Sequence, residues 1–374
     1  MAEALLPFGG SARTQGGSIG QQVLRGATEA QQQQQHGAAS DAAGGTQPHA
    51  QQAVQQLPQQ HQQQPDTLPT AAAMADERQW YAKLSQAGCS RTEQLRVCSH
   101  RGRLSVEGLA PPGSLSAYSV LYKAGVSCYD VDFMLTSDGQ LLATHPDDLA
   151  AALEAAAGSA AAAVGLRSRM RSMTLAELRA AGADEDQFPT ADALIKVFAG
   201  LLADSGLMWR EKREPPYEDI PLLLMDLKAE AFNAGAINGI AAVAQSVRAT
   251  PHIALLVSSP HQLELVQQHT QWRGPLIQAF MDRDNPNPIV SSIELQPFAL
   301  LAPSIRMSDA FMAAAGRLGK PLLTWTVDSP ADLHRGLELG VNAVVSNAPL
   351  ALRSVLMDWR DRCSDRQDNA GATG

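Results

Sequence analysis

Between residues 97 and 357, short apolar runs rich in β-branched and leucine residues alternate with longer segments whose apolar residues recur at helical spacing. That alternation restricts the chain to few architectures. The strand candidates are Arg96–Ser99, Cys128–Leu135, Leu222–Leu227, Ile253–Val257, Leu276–Phe280, Ile293–Pro297, Leu322–Val327 and Ala343–Ser346. Between them the pattern predicts helices at Ser114–Ala124, Leu175–Ala181, Ala191–Leu202, Ala234–Val247, Gln262–His269, Ser308–Gly319, Ala331–Leu339 and Pro349–Arg360. Strand-helix repetition of this length builds a parallel sheet. Eight strands close such a sheet into a (β/α)₈ TIM barrel, and the span is near the ~250 residues typical of one. In that fold the reactive side chains stand at the carboxyl ends of strands.

The rest of the chain is of a different kind. From Gly9 to Thr70 it is mostly Gln, Ala, Gly, Ser and Pro, including the run Gln31–Gln35, and buries too little apolar surface to offset the entropy of ordering it. The expected organisation is a disordered Gln/Ala-rich extension over 1–78, a linker with a leading helix over 79–96, the barrel over 97–360 and a disordered tail over 361–374.

Charge and composition remove several function classes. Lys+Arg 29 against Asp+Glu 38 gives a net charge of −9, and no basic run supplies the cationic stripe that nucleic acid requires. Cys89, Cys98, Cys128 and Cys363 lie far apart with no Cys-x-x-Cys pair, and are expected as reduced thiols. No apolar run reaches the roughly 18–20 residues of a membrane span, and the first residues lack a basic segment followed by an apolar core. A cytoplasmic location is expected; Arg13 and Arg25, with few acids nearby, keep organellar targeting by the extension open.

Four strand ends carry chemistry. His100-Arg101-Gly102 closes the first candidate strand with a proton-transfer group, a guanidinium suited to an oxyanion, and a glycine that lets backbone approach a ligand. In Cys128–Leu135, alternation puts Asp130 and Asp132 on one face and Val131, Phe133 and Leu135 on the other. If the apolar set packs on outer helices, both acids enter the barrel, where unpaired charge is expensive and a cation or a shared proton relieves it. Thr136–Gln140 is a hairpin signal that folds the chain back, returning His145 towards the mouth. In Leu222–Lys228, Asp226 and Lys228 share a face of an otherwise apolar run.

Three carboxylates, two histidines, an arginine and a lysine at one mouth describe phosphodiester hydrolysis. Asp130, Asp132 and Asp226 offer oxygen-only ligation, which favours Mg²⁺, Ca²⁺ or Mn²⁺ over zinc. Arg101 and Lys228 would offset charge growing on the phosphoryl group, and His100 and His145 would serve as base and acid in an order that spacing does not decide.

These residues resemble the glycerophosphodiester phosphodiesterase family, whose fold is a (β/α)₈ barrel, and the likeness covers roughly 97–357. His100-Arg101-Gly102 is similar to its His-Arg-Gly opening, Asp130-Val131-Asp132 to its Glu-x-Asp metal pair, and Asp138-Gly139 through His145 to its Lys-Asp-Gly…His-Asp segment. Thr174-Leu175-Ala176-Glu177-Leu178 with Phe188-Pro189-Thr190 resembles Thr-Leu-x-Glu-Leu…Ile-Pro-Thr-Leu. Met225-Asp226-Leu227-Lys228 resembles Ile-Glu-Ile-Lys; Trp325-Thr326-Val327-Asp328 and Ser346-Asn347-Ala348-Pro349 resemble Trp-Thr-Val-Asn and Thr-Asp-Arg-Pro. The resemblance implies metal-dependent hydrolysis of glycerophosphodiesters to glycerol 3-phosphate and an alcohol, with the two histidines as acid and base. It also implies attack by the substrate's own glycerol hydroxyl through a cyclic phosphate, and Trp325 lining the glycerol side of the pocket.

The chain departs from that pattern in Pro111-Pro112-Gly113-Ser114 where the family has Pro-Glu-Asn-Thr, and in His145-Pro146 where it has His-Asp. Two glutamate ligands appear as the shorter Asp130 and Asp226, which bears on metal affinity and preference. Two other readings stand beside the first: a lysophospholipase D acting on a lysophospholipid, which predicts an apolar channel at the mouth, and a catalytically degenerate binding module.

Overall fold

The computed structural model describes residues 77–371 except 88, 93–94, 105–108, 210–216, 218–219 and 281–296. The expected disordered extension lies outside the described residues apart from its last two positions.

Nine strands occur in the described part: β1 Arg96–His100, β2 Cys128–Leu135, β3 Leu141–Ala143, β4 Leu222–Leu227, β5 Ile253–Val257, β6 Leu276–Phe280, β7 Leu300–Pro303, β8 Leu323–Thr324 and β9 Ala343–Ser346. They pair in the order β7-β6-β5-β4-β2-β1-β9-β8, all parallel, and parallel bridges Leu301↔Leu322 and Ser304↔Trp325 join the two ends into a closed barrel. The short β3 hangs on β2 as the antiparallel arm of the expected hairpin, with Phe133 opposite Ala143.

Among the described residues twelve α-helices accompany the strands: α1 Glu77–Ala87, α2 Cys89–Thr92, α3 Leu115–Lys123, α4 Pro146–Ala156, α5 Ala160–Arg169, α6 Leu175–Ala180, α7 Ala191–Asp204, α8 Ala234–Ser246, α9 Pro260–His269, α10 Asp309–Gly316, α11 Pro330–Glu338 and α12 Pro349–Gly371. Many begin where a side chain satisfies an orphan amide of the first turn: Ser114, Thr190, Ser259, Ser308 and Ser329 each accept from an N–H three residues on. Among the described residues no helix is long and apolar enough to cross a membrane.

Strand alternation divides the core in two. Val97, Val131, Phe133, Leu223, Met225 and Leu255 point outward and are buried with the helices. Cys98, Cys128, Leu222, Leu224, Ala254 and Ile277 point inward and fill the barrel. Each Val, Leu, Ile, Met or Phe among them contributes about 1.5–3 kcal/mol by leaving water. A third apolar cluster, with Leu149, Leu153, Met170, Leu178 and Phe188, covers the β2–β3 hairpin. The alanine-rich segment from Ala150 starts inside it, because Leu149, Ala150 and Leu153 of α4 are buried there.

Two sequence expectations are corrected and a third lies almost wholly outside the described residues. The strand expected at Ile293–Pro297 falls almost entirely outside the described residues; the barrel position is filled by β7, whose Leu300 is in register with Ile277. A four-residue strand that ends in a proline carries almost no periodic signal, and only pairing defines it. The disordered tail expected over 361–374 is helical to Gly371, as the continuation of α12. The cysteines are disulfides: Cys89 joins Cys363, and Cys98 joins Cys128. Spacing along the chain hides both pairs, since Cys98 and Cys128 face inward from adjacent strands and α2 packs against α12.

Candidate active site

The inward columns of β1, β2 and β4 begin apolar and end charged. Cys98 is followed two residues on by His100, Cys128 by Asp130 and Asp132, and Leu222 and Leu224 by Asp226, with Lys228 next in the series. One rim of the barrel therefore carries ionisable groups on three neighbouring strands.

At the end of β1 the backbone turns sharply. Arg101 and Gly102 both adopt left-handed conformations, with φ of 56° and 65°. A Cβ on Gly102 would stand 2.9 Å from the Tyr118 ring and 3.0 Å from the Gly113 backbone, so only glycine fits. The turn aims two guanidinium groups back across the mouth. Arg101 Nε lies 2.7 Å from Asp132 Oδ2, while Arg103 Nη1 donates to Asn347 Oδ1 at 2.9 Å. Both arginines also approach the Asp148 carboxylate, at 3.6 and 3.8 Å.

Asp132 and Asp226 are register partners across β2 and β4. The Lys228 ammonium bridges them, 2.6 Å from Asp132 Oδ1 and in contact with Asp226 Oδ2. Burial favours the neutral acid throughout, and the neighbours decide the outcome. Burial, then the charges of Asp132 and Asp226, push Asp130 up to about 8. Asp132 resists the same burial because Lys228 and Arg101 hold it down to about 2. Burial also raises Asp226, against the opposing pull of Lys228. Lys228, although buried, is held above its ordinary value by Asp226 and Asp132.

The two histidines differ in tautomer. His100 Nδ1 lies 2.7 Å from Asn347 Oδ1. That oxygen also accepts from Arg103, and the Asn347 amide nitrogen donates to Asp328 Oδ2 at 2.7 Å. The carboxamide orientation is thereby fixed, Nδ1 carries the ring proton, and Nε2 of His100 is left with its lone pair. Burial and the Arg101 charge lower this imidazole to about 4. His145 caps α4: the Asp147 N–H donates to its Nδ1 at 3.2 Å, so in the neutral ring the proton sits on Nε2. A second proton on Nδ1 would face the Asp147 carboxylate, 3.5 Å away. Burial and Arg101 lower His145 as well.

The residues singled out in the sequence thus arrive largely together. His100, Arg101, Asp130, Asp132, Asp226 and Lys228 share one rim, and His145 is coupled electrostatically to Asp132 and Lys228. Arg101 and Lys228, expected at a phosphoryl group, are ion-paired to Asp132. Trp325 follows β8, two strands from β1, with its indole N–H donating to Ala302 O at 3.1 Å. Sequence reasoning gave no role to Arg103, Asp148, Asn347 or Asp328. Asn347, which also holds Asp328, reaches His100 only because β9 pairs with β1, which local spacing does not reveal. A cavity of about 290 Å³ opens beside Lys228, walled by Met134, Leu135, Thr136, Pro146, Arg171 and Glu230.

The donor set suits a hard divalent cation. Asp132 and Asp226 raise the proton affinity of Asp130, Asp132 raises that of Asp226, and the buried Asp130 Oδ1 has no hydrogen-bond partner. Among the described residues, no three acidic, histidine or cysteine side chains converge as a ready-made metal cage, and the Lys228 ammonium occupies the place between Asp132 and Asp226.

Comparison with known proteins identifies the family. The glycerophosphoryl diester phosphodiesterase family model matches residues 100–351. A curated glycerophosphodiester phosphodiesterase of Arabidopsis thaliana is 22% identical over 272 residues, covering 71% of this chain and 75% of the relative. Among solved structures, a glycerophosphodiester phosphodiesterase from Parabacteroides distasonis matches with a TM-score of 0.50 at 15% identity, covering 71% of this chain and 98% of that one. A Galdieria sulphuraria protein assigned to the same enzyme class matches with a TM-score of 0.52 at 16% identity, covering 70% and 97%. At those identities the solved structures speak for the fold, while the family model spans most of the barrel, its histidine-arginine opening included. The chain belongs to the glycerophosphoryl diester phosphodiesterase family.

Proposed function

We propose that this phosphodiesterase hydrolyses glycerophosphodiesters to glycerol 3-phosphate and an alcohol, with a divalent cation bound by Asp130, Asp132 and Asp226. The observation that carries the proposal is that those three carboxylates, two of them register partners bridged by Lys228, stand on one rim with two differently protonated histidines. When bound, the cation, Mg²⁺ or Ca²⁺ with Mn²⁺ as a further option, supplies Lewis-acid polarisation of the phosphoryl oxygens.

The chain's own groups divide the remaining work. His100 Nε2 holds a free lone pair and takes the proton of the attacking hydroxyl, the glycerol oxygen of the substrate itself, as the O–P bond forms. His145, protonated on Nδ1 with that proton directed at the Asp147 carboxylate in place of the bond from the Asp147 N–H, gives its Nε2 proton to the departing alcohol oxygen as the other P–O bond breaks. The cyclic phosphate is then opened by water with the two roles reversed. Arg101 and Lys228, both paired to Asp132 at the same rim, would offset charge on the phosphoryl oxygens. The cavity beside Lys228 borders Pro146, the residue after His145, and takes the departing alcohol. Trp325 lines the glycerol side.

The test is a substrate panel. Full-length protein with divalent cation should release choline or ethanolamine from glycerophosphocholine or glycerophosphoethanolamine, together with glycerol 3-phosphate, and His100→Ala should slow it by about 10²–10⁴-fold. Turnover only of lysophospholipids would establish the acylated-substrate reading instead. No turnover and no metal binding would establish a non-catalytic module.

A further inference from the structure

The carboxamide that orients His100 is itself held from behind. Asp328 Oδ1 accepts from the Asn347 backbone N–H at 2.8 Å and from Ser346 Oγ at 3.0 Å, and its Oδ2 accepts from Asn347 Nδ2 at 2.7 Å. On the other side, Asn347 Oδ1 receives Arg103 Nη1 at 2.9 Å and stands 2.7 Å from His100 Nδ1. Turning the amide over would set N–H donors against the Arg103 guanidinium and leave the Asp328 carboxylate facing an acceptor. Asn347 is 8% exposed and Ser346 1%, so water is poorly placed to repair either mismatch.

We propose that Asp328 is a positioning residue which, by clamping the Asn347 carboxamide, forces His100 into the Nδ1–H tautomer and keeps Nε2 available as the base. Asp328 touches none of the reacting atoms; it acts through Asn347. The inference rests on the reading of His100 as base for its kinetic consequence, but the tautomer itself is set by hydrogen bonding alone.

The geometry predicts what substitutions do. Asp328→Asn keeps an oxygen for Ser346 and the backbone N–H but places an amide nitrogen against Asn347 Nδ2. Asn347 relieves that clash by turning over, and then shows N–H to His100 Nδ1, which moves the ring proton to Nε2. Asn347→Asp alone sets two carboxylates face to face. The exchange of both, Asp328→Asn with Asn347→Asp, remakes every bond: the amide donates to the carboxylate, whose second oxygen accepts from His100 Nδ1 and Arg103.

The experiment combines steady-state kinetics on a glycerophosphodiester with ¹⁵N NMR of the His100 imidazole. Asp328→Asn should lower kcat by about 10²-fold or more, in line with loss of a correctly protonated base, while KM changes little. The same variant should show the His100 proton on Nε2, and the exchange variant should return the proton to Nδ1 and recover most of kcat. Wild-type kcat and an Nδ1–H ring in Asp328→Asn would overturn the proposal, as would an exchange variant with the proton on Nε2. Should Asp328→Asn not fold, the exchange variant and the milder Ser346→Ala carry the test, the latter expected to populate both tautomers. If the tautomer moves as stated but wild type hydrolyses no glycerophosphodiester, the positioning role stands and the proposed substrate falls.

Discussion

Asp132 and Asp226 face each other across β2 and β4, and the ammonium of Lys228 lies between their carboxylates. The barrel interior at this height is dry enough that the third acid, Asp130, is pushed to about 8, so an acid cluster assembled from three strand positions shares its protons and cations rather than carrying three full charges.

Cation binding should therefore displace a proton. A carboxylate must be ionised to ligate, and Asp130 is mostly protonated at pH 7 because its value of about 8 lies above that pH. Affinity for Mg²⁺ or Ca²⁺ is expected to rise with pH up to about 8 and then level off. Isothermal titration calorimetry in buffers of different ionisation enthalpy should register uptake of close to one proton by buffer per cation at pH 7, and Asp130→Asn should remove that release.

The two histidines should be separable by kinetics. His100→Ala and His145→Ala are each expected to lower kcat by about 10²–10⁴-fold. For His100 the acid limb of the pH profile of kcat/KM should lie near its value of about 4, since activity requires the neutral ring and grows as pH rises through that point. A limb that does not change when Asn347→Asp places an anion at Nδ1 would dissociate His100 from base catalysis.

Much of this was readable beforehand, and the reason is burial. β2, β4, β5, β6 and β9 have the limits expected from sequence, because strands buried on both faces are continuous apolar runs. Asp130, Asp132 and Asp226 stood out as acids interrupting such runs at two-residue spacing. What escaped reading depends on closure of the barrel. Asn347 meets His100 only because β9 pairs with β1, and Cys98 meets Cys128 only because two strands thirty residues apart are neighbours. No local pattern encodes either contact.

Gly102→Ala tests the turn that aims the arginines. The left-handed backbone costs about 1–2 kcal/mol for a residue with Cβ, and the approach of 2.9 Å to Tyr118 adds to it. Chemical denaturation should show lower stability than wild type, and activity should fall further than stability because Arg101 and Arg103 are displaced. Unchanged activity would separate the arginines from catalysis.

Pairing of all four cysteines has a direct check: denatured, unreduced protein should show no free thiol to Ellman's reagent. Cys89→Ser, which releases the tie between α2 and α12, is expected to lower stability by about 2–5 kcal/mol, since the closed loop spans most of the barrel. Four free thiols in the native protein would contradict the pairing.

The most direct measurement is glycerophosphocholine hydrolysis by the full chain, stripped of metal with EDTA and then titrated with Mg²⁺ or Ca²⁺, alongside Asp132→Ala. Loss of choline release on stripping, recovery on titration, and no recovery in Asp132→Ala are the predicted results. Turnover that survives EDTA in wild type, or equal metal response in Asp132→Ala, would contradict a cation held by this carboxylate cluster.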